Sequence, residues 1–453
     1  MRSHRLAPIE TYKLFISLLL FLNISVCAAS ITSNQLRNSL SQNTLPLTLS
    51  TLSEDTSNDD EMWYWLNLAR LQQSNGDFNA SIRSFEKAYA ILDEYENRAT
   101  ISVRNVGSFL GSSFLTKGSE HYHTKGYERS LMHTLNALNY TMNGDFEGAA
   151  VEMHRMEMRQ EFWLLESEEK IKDAANDKRR AERQGSDLSS APSGYSMATL
   201  LEDPDVRAMA NNYQDPFSYT LSSIILDISG LSAAAGDASA ISLKRAFALN
   251  PEASKAFLGS PHQPSTMAIT VVILSGQAPA MKIERVRFPI FHAAEYTSLD
   301  LPSYTPPIND LSYVAISTPT MRIQPPRLLK SNLMAYKTLK DELPSDLAKG
   351  VVRATTRGVT AKQMSDQFGP LGGLIASLTM DLGSSYVDKD YRNWELLPNS
   401  GYIAKFEAKK GETLDIMLNN TKETIILPND KKGAVIVVDY LTPNNIRIHH
   451  VTY

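Results

Sequence analysis

Three observations predict an α+β fold, with a helical N-terminal half and a β-rich C-terminal half. From Met62 to Pro251, apolar and small residues recur at helical spacing around Gly-Asp turns. After Pro261 the period changes to strand alternation, clearest where Tyr402, Ala404, Phe406 and Ala408 alternate with Lys405, Glu407 and Lys409. The composition, 42% hydrophobic and 21% charged over 453 residues, is that of a globular chain with core enough for two or three domains.

The N-terminus reads as an export signal, residues 1–27. Arg2, Arg5 and Lys13 form a basic region, Leu14 to Val26 an apolar run too short to span a bilayer comfortably, and Ala28, Ala29 and Ser30 follow at once. Two processing modes fit. Ile24-Ser25-Val26-Cys27 resembles a lipobox, which makes Cys27 a lipidation candidate; Val26-Cys27-Ala28 fits ordinary cleavage. Residues 28–60 are rich in Ser, Thr, Asn and Asp and end in the acidic run Ser53 to Glu61, so a flexible tether is expected there.

Residues 61–260 carry the helical signal. Trp65, Leu68, Ala69, Gly76, Phe78, Ser81, Phe85 and Ala88 fall at the spacing of a tetratricopeptide repeat, a helical hairpin of about 34 residues. The grammar recurs at Ala137, Tyr140, Gly144, Phe146 and Ala149, with turn glycines 144 − 76 = 68 residues apart. A weaker match runs from Tyr219 to Pro251 around Gly236-Asp237-Ala238. The expected architecture is a TPR-like α-helical solenoid whose stacked hairpins share one core. The stretch Gly126 to Met158 forms its central hairpin, and a polar helix (Glu166 to Arg183) and loop occupy residues 166–196. A concave groove on such hairpins would take a peptide or helix of a partner, with Tyr140, Arg155 and Arg159 as partner-binding candidates.

Residues 261–453 read as a β-rich domain, a sandwich or half-barrel. Ala268–Leu274, Met281–Pro289 and Leu311–Ser317 are strands, Ala434–Val438 is a strand buried on both faces, and residues 329–382 are a helical insertion.

Several function classes drop out. Net charge is −5 with acidic and basic residues interspersed, so no nucleic-acid partner is expected. A single cysteine excludes an internal disulfide and a thiolate zinc site. No phosphate-binding loop, nucleophile elbow or dinucleotide fingerprint occurs, so no catalytic residue, cofactor or metal is assigned. His121-Tyr122-His123 with His133 and His154 read as packing or surface histidines, and His449 and His450 point to opposite faces of a strand.

Three stretches together resemble a family of largely uncharacterised bacterial envelope proteins and lipoproteins with a tetratricopeptide-like N-terminal half and a β-rich C-terminal half. These are Tyr127-Glu128 with Ala137 to Tyr140, Gly144-Asp145, Gly148-Ala149 and Val151-Glu152; Gly276, Ala278-Pro279 and Lys282 to Pro289; and Asp390, Arg392, Trp394 and Leu397-Pro398. Ser275 departs from the acidic residue expected there. The resemblance implies export, envelope association and no established enzyme activity. Asp390, Arg392 and Trp394 are expected to mark the junction between helices and terminal strands. The reading is therefore a non-enzymatic scaffold that binds protein partners in the bacterial envelope, touching membrane only through a lipid at Cys27. Its rivals are a structural part of a secretion or surface-appendage machine and a cell-wall enzyme with an unrecognised site.

Overall fold

Two turns of identical sequence set the path of the helical half. Asn75-Gly76-Asp77-Phe78 joins α3 (Glu61–Asn75) to α4 (Phe78–Asn105), and Asn143-Gly144-Asp145-Phe146 joins α5 (Gly126–Met142) to α6 (Phe146–Arg183). Both glycines have left-handed φ, +89° and +76°. Each turn closes with the same pair of bonds, Gly76 N–H to Gln73 O and Asp77 N–H to Gln72 O in one, Gly144 N–H to Thr141 O and Asp145 N–H to Tyr140 O in the other. This is the Schellman ending that left-handed glycine permits. After the short helices α7 (Ala198–Leu201) and α8 (Pro204–Ala208), a third hairpin pairs α9 (Pro216–Ser229) with α10 (Ala238–Leu249), the turn between them lying outside the described residues. Neighbouring hairpins touch through α4 with α5 and α6 with α9.

The computed structural model describes residues 32–42, 44–54, 61–105, 122, 124–183, 192, 194–230, 238–259, 263–290, 295–344, 347 and 392–453. The export signal with Cys27, His121, His123, the loop after Arg183, the stretch Gly369 to Ala376, most of the expected insertion and Asp390 lie outside them.

The described residues of the expected tether are instead folded. Residues Ser33–Gln42 form α1 and Leu45–Glu54 form α2. Thr32 and Gln35 make a reciprocal capping box (Gln35 N–H to Thr32 Oγ1 3.3 Å, Thr32 N–H to Gln35 Oε1 2.8 Å). Leu36, Leu40, Leu45 and Leu52 are fully buried. A polar composition misleads here because four leucines at helical spacing suffice to drive one face into the core. The polar helix also differs from expectation. It is the second half of one 38-residue α6, since the chain between Met158 and Glu166 holds neither glycine nor proline.

The C-terminal half is two packed sheets and a separate ribbon. The strands are β1 (Thr266–Ser275), β2 (Met281–Ile290), β3 (Glu295–Tyr304), β4 (Val314–Thr318), β5 (Met321–Ile323), β6 (Arg327–Lys330), β7 (Ser400–Lys409), β8 (Thr413–Leu418), β9 (Thr421–Ile426), β10 (Gly433–Thr442) and β11 (Asn445–Thr452). One sheet has the order β11-β10-β1-β7-β6, the other β5-β4-β8-β9, and β2-β3 pair only with each other. β1 lies parallel to β10 and antiparallel to β7. It is buried along almost its whole length because its two faces serve different cores. Met267, Ile269, Val271 and Ile273 face the second sheet in a sandwich core with Leu414 and Ile416. Val272 and Leu274 face the helices. The expected division into a helical and a β domain is thus bridged by one hydrophobic core, which runs from Trp63 and Leu135 through Val272, Leu329 and Val437. Of the insertion, 331–344 is helical and begins directly after β6.

Candidate functional site

The first helix of each hairpin turns toward the five-stranded sheet, and the space between is filled by the chain itself. Residues 393–399 run along the inner face of α3 and α5. Trp394 is fully buried; its Nε1–H donates to Leu66 O (3.1 Å), its backbone N–H to Glu128 Oε1 (2.9 Å), and its ring meets Phe85 edge-on at 5.9 Å. Leu396 N–H donates to Asn67 Oδ1 (3.1 Å). Glu395 accepts from Trp63 Nε1. Burial pushes both Glu128 and Glu395 above the usual carboxylate range. Arg70, also fully buried, gives Nε–H to Leu396 O and both terminal nitrogens to Asp439 on β10 (2.9 and 3.0 Å). Arg392 is half-buried.

This corrects the expectation of a groove. The inner face of the hairpins is occupied by the chain's own Trp394-Glu395-Leu396-Leu397, and Tyr140, Arg155 and Arg159 do not line it. They lie instead on the outer side of the central hairpin, around a buried ionic cluster. Glu152, on α6, is 2% exposed. It accepts from His133 Nδ1 (2.8 Å), Tyr89 OH (3.1 Å) and Arg155 Nη1 (2.8 Å). Tyr89 stacks on His133 at 4.6 Å and 20°. Burial alone would raise the Glu152 carboxyl; the His133, Arg155 and Tyr89 donors outweigh it and hold it below the usual range. The cluster therefore joins α4, α5 and α6 around a fixed negative charge, and Arg155 carries the compensating cation outward.

The surface above that cluster is mixed in character. The Arg155 side chain is 56% exposed, and Val151 and Met158, at 48% and 59%, flank it at positions i−4 and i+3 on the same face of α6. Arg159 pairs with Asp93 of α4, and Tyr140 is half-buried against the core at the end of α5. Sequence reasoning reads His133 only as a packing or surface histidine and Glu152 only as part of a motif, and it misses Tyr89 and the cluster the three form, which no linear spacing joins. It also missed Val151 and Met158, apolar residues on a face whose other members are polar, a signal that periodicity does hold.

Among the described residues no group of three or more His, Cys, Asp or Glu side chains could hold a metal ion, and His154 is exposed on the outer face. No helix of the described residues is long and apolar enough to cross a membrane. Comparisons with protein-family models, with curated proteins and with solved structures found no match to this chain.

Proposed function

We propose that this chain is an exported, envelope-associated scaffold whose helical hairpins are TPR-like and dock a protein partner of the bacterial envelope, as an accessory to peptidoglycan or outer-membrane assembly. The observation that carries the proposal is the Val151–Arg155–Met158 stripe on α6. Two large apolar side chains stand in solvent on either side of a cation anchored from beneath by buried Glu152. Rigid apolar positions with a fixed charge between them suit the apolar face of a partner helix that carries a carboxylate. The identical, regularly spaced turns at Gly76 and Gly144 support the repeat reading.

Mild cross-linking in the envelope followed by purification tests it, with Met158→Glu and Val151→Glu compared against the parent protein. A discrete partner captured by the parent and lost with both variants, at unchanged thermal stability, is the expected result. Undiminished capture by both variants would refute the docking face. Turnover of cell-wall fragments by the purified protein would replace the scaffold reading altogether.

A further inference from the structure

The outer edges of the sheets are guarded unequally. An edge strand offers free backbone N–H and C=O groups to any chain that can pair with it, and short length, proline, charge and bulges are the usual guards. β5 has three residues and β6 four, and β6 follows Pro325-Pro326 and carries a register shift between Arg327 and Leu329. β9 carries Lys422 and Glu423. In the ribbon, β2 carries Lys282, Arg285, Arg287 and Pro289, and β3 carries Asp300 and Pro302. β11 differs. It runs for eight residues, Asn445–Thr452, without proline, lysine or carboxylate, and Ile446, Ile448, Val451 and Thr452 are β-branched. Its one formal charge folds back on its own strand, Arg447 Nη1 to Ile446 O at 3.2 Å. The one irregularity of its ladder lies at the hairpin end, between Tyr440 and Thr442.

The ladder with β10 fixes which groups are free. Gly433 and Tyr453 exchange both backbone bonds (3.1 and 3.0 Å), and the register then runs unbroken from Ala434–Thr452 to Tyr440–Ile446. Bonded and unbonded pairs alternate along an antiparallel ladder. Arg447, His449 and Val451 therefore bond to β10, while Ile446, Ile448, His450 and Thr452 turn their N–H and C=O groups outward. β10 keeps the same phase, since Lys432 O and Tyr440 O face the other way, toward Ala268 N–H and Gly276 N–H (3.0 and 2.9 Å). Among the described residues β11 pairs with no strand but β10; His450 is exposed, and Ile446, Ile448 and Thr452 are half-buried.

From this we infer that β11 pairs with β11 of a second copy, antiparallel about a two-fold axis at His449, so that two five-stranded sheets become one. Self-complementarity selects a second copy as the occupant. In this register Ile446 meets Thr452 of the second copy and Ile448 meets its His450, so every outward N–H finds an outward C=O. Charge is placed as favourably: Arg447 lies opposite the aliphatic Val451, whereas an axis at Arg447 would set two guanidinium groups face to face. The His449 ring on the axis is already engaged within its own chain, Nε2 with Ser74 O (3.0 Å) and edge-on to Phe78. The α6 stripe takes no part in this pairing, so the inference stands apart from the docking proposal.

Sedimentation of the full chain in a mild detergent tests it, in a Cys27→Ala background that removes the only native thiol. The parent should sediment as a dimer. His450→Pro removes one outward N–H from each copy and leaves the bonds to β10 in place, as prolines at strand edges do. It should weaken the dimer about tenfold or more at an unchanged melting temperature. His449→Cys should link two copies by a disulfide on oxidation, because opposed residues of an unbonded pair lie about 4.5 Å apart at Cα. Val451→Cys, about 13 Å out of register with its own counterpart, should not. A parent that stays monomeric, even one that takes up a strand of another protein, overturns the inference. So does a dimer that His450→Pro leaves undiminished, or disulfide linkage equal at positions 449 and 451.

Discussion

Arg70 is the residue through which the helical half grips the sheet, and removing it should show how tightly the two are coupled. Its guanidinium is wholly inside and makes four bonds, to Leu396 O, Gln73 Oε1 and both oxygens of Asp439. Arg70→Met leaves the Asp439 carboxylate, itself 2% exposed, without its counter-charge. Breaking one side of a buried pair costs about 3–5 kcal/mol. Asp439→Asn leaves the converse defect and should cost a similar amount. Replacing both partners, as Arg70→Met with Asp439→Leu, removes the stranded charge, so the double variant should recover several kcal/mol of the summed losses, about 1–4 kcal/mol above the worse single change. With a urea m-value on the order of 3 kcal/mol/M, a 4 kcal/mol loss moves the midpoint by about 1.3 M, readily seen by far-ultraviolet circular dichroism. The shared core predicts that helix and strand signals move together in a single transition. Two outcomes refute the reasoning. One is strictly additive losses, which would mean that the pair carries no coupling. The other is a strand transition that stays in place while the helix signal shifts, which would mean that the halves fold independently.

Three further changes test other parts of the same account. Trp394→Ala should cost about 3–5 kcal/mol as an unfilled core cavity, and Trp394→Phe markedly less because only the bond to Leu66 O and part of the ring are lost; denaturation midpoints of the two rank them. Asp215, the N-cap of α9, is pushed by burial up to about 6 from an ordinary value of 3.8. Its protonated form is therefore favoured by folding, so its contribution is fully present below pH 3.8 and lost as pH rises through 6. The difference, 6 − 3.8 = 2.2, corresponds to about 3 kcal/mol, and Asp215→Asn, which keeps a capping acceptor, should flatten that part of the stability–pH curve. Gly144→Ala should cost about 1 kcal/mol for the left-handed backbone alone, since a methyl there meets nothing within 4 Å. Gly76→Ala should cost more, because its methyl would lie 3.1 Å from the His449 ring, and equal melting-temperature losses for the two would contradict the packing described.

How far the sequence is legible depends on the range over which each residue's partners lie. The turns at Gly76 and Gly144 are readable because their bonds close within five residues. The alternation of β8 and of the second half of β7 is readable because one face is buried there, whereas the full burial of β10 shows only as an apolar run. Composition alone points away from α1 and α2, although Thr32-x-x-Gln35 followed by Leu36 and Leu40 is a helix-start signature that a local search finds. The ionic cluster lay beyond reach. His133 and Glu152 are nineteen residues apart, and Tyr89 comes from a third helix, so only the crossing of α4, α5 and α6 creates it.

The sealed inner face bears most directly on what the hairpins can do. In an open solenoid the inner face is free to take a peptide. Here Trp394, Leu396 and Leu397 lie on that face with no more than 1% exposure, and Glu128, Asn67 and Arg70 spend their bonding capacity on the same segment. A partner using that face would have to extract a buried tryptophan and leave buried hydrogen-bonding groups of Glu128, Asn67 and Arg70 without their partners in this segment, a loss of several kcal/mol that few peptide contacts offset. Under the docking proposal the partner is thereby confined to the outer side. There α6 stands over a cluster whose charges are already satisfied, and Val151 and Met158 cost nothing to desolvate beyond the water around them. The inner faces of α3 and α5 are thus committed to holding the fold together, and the outer face of α6 is the surface that the docking proposal uses.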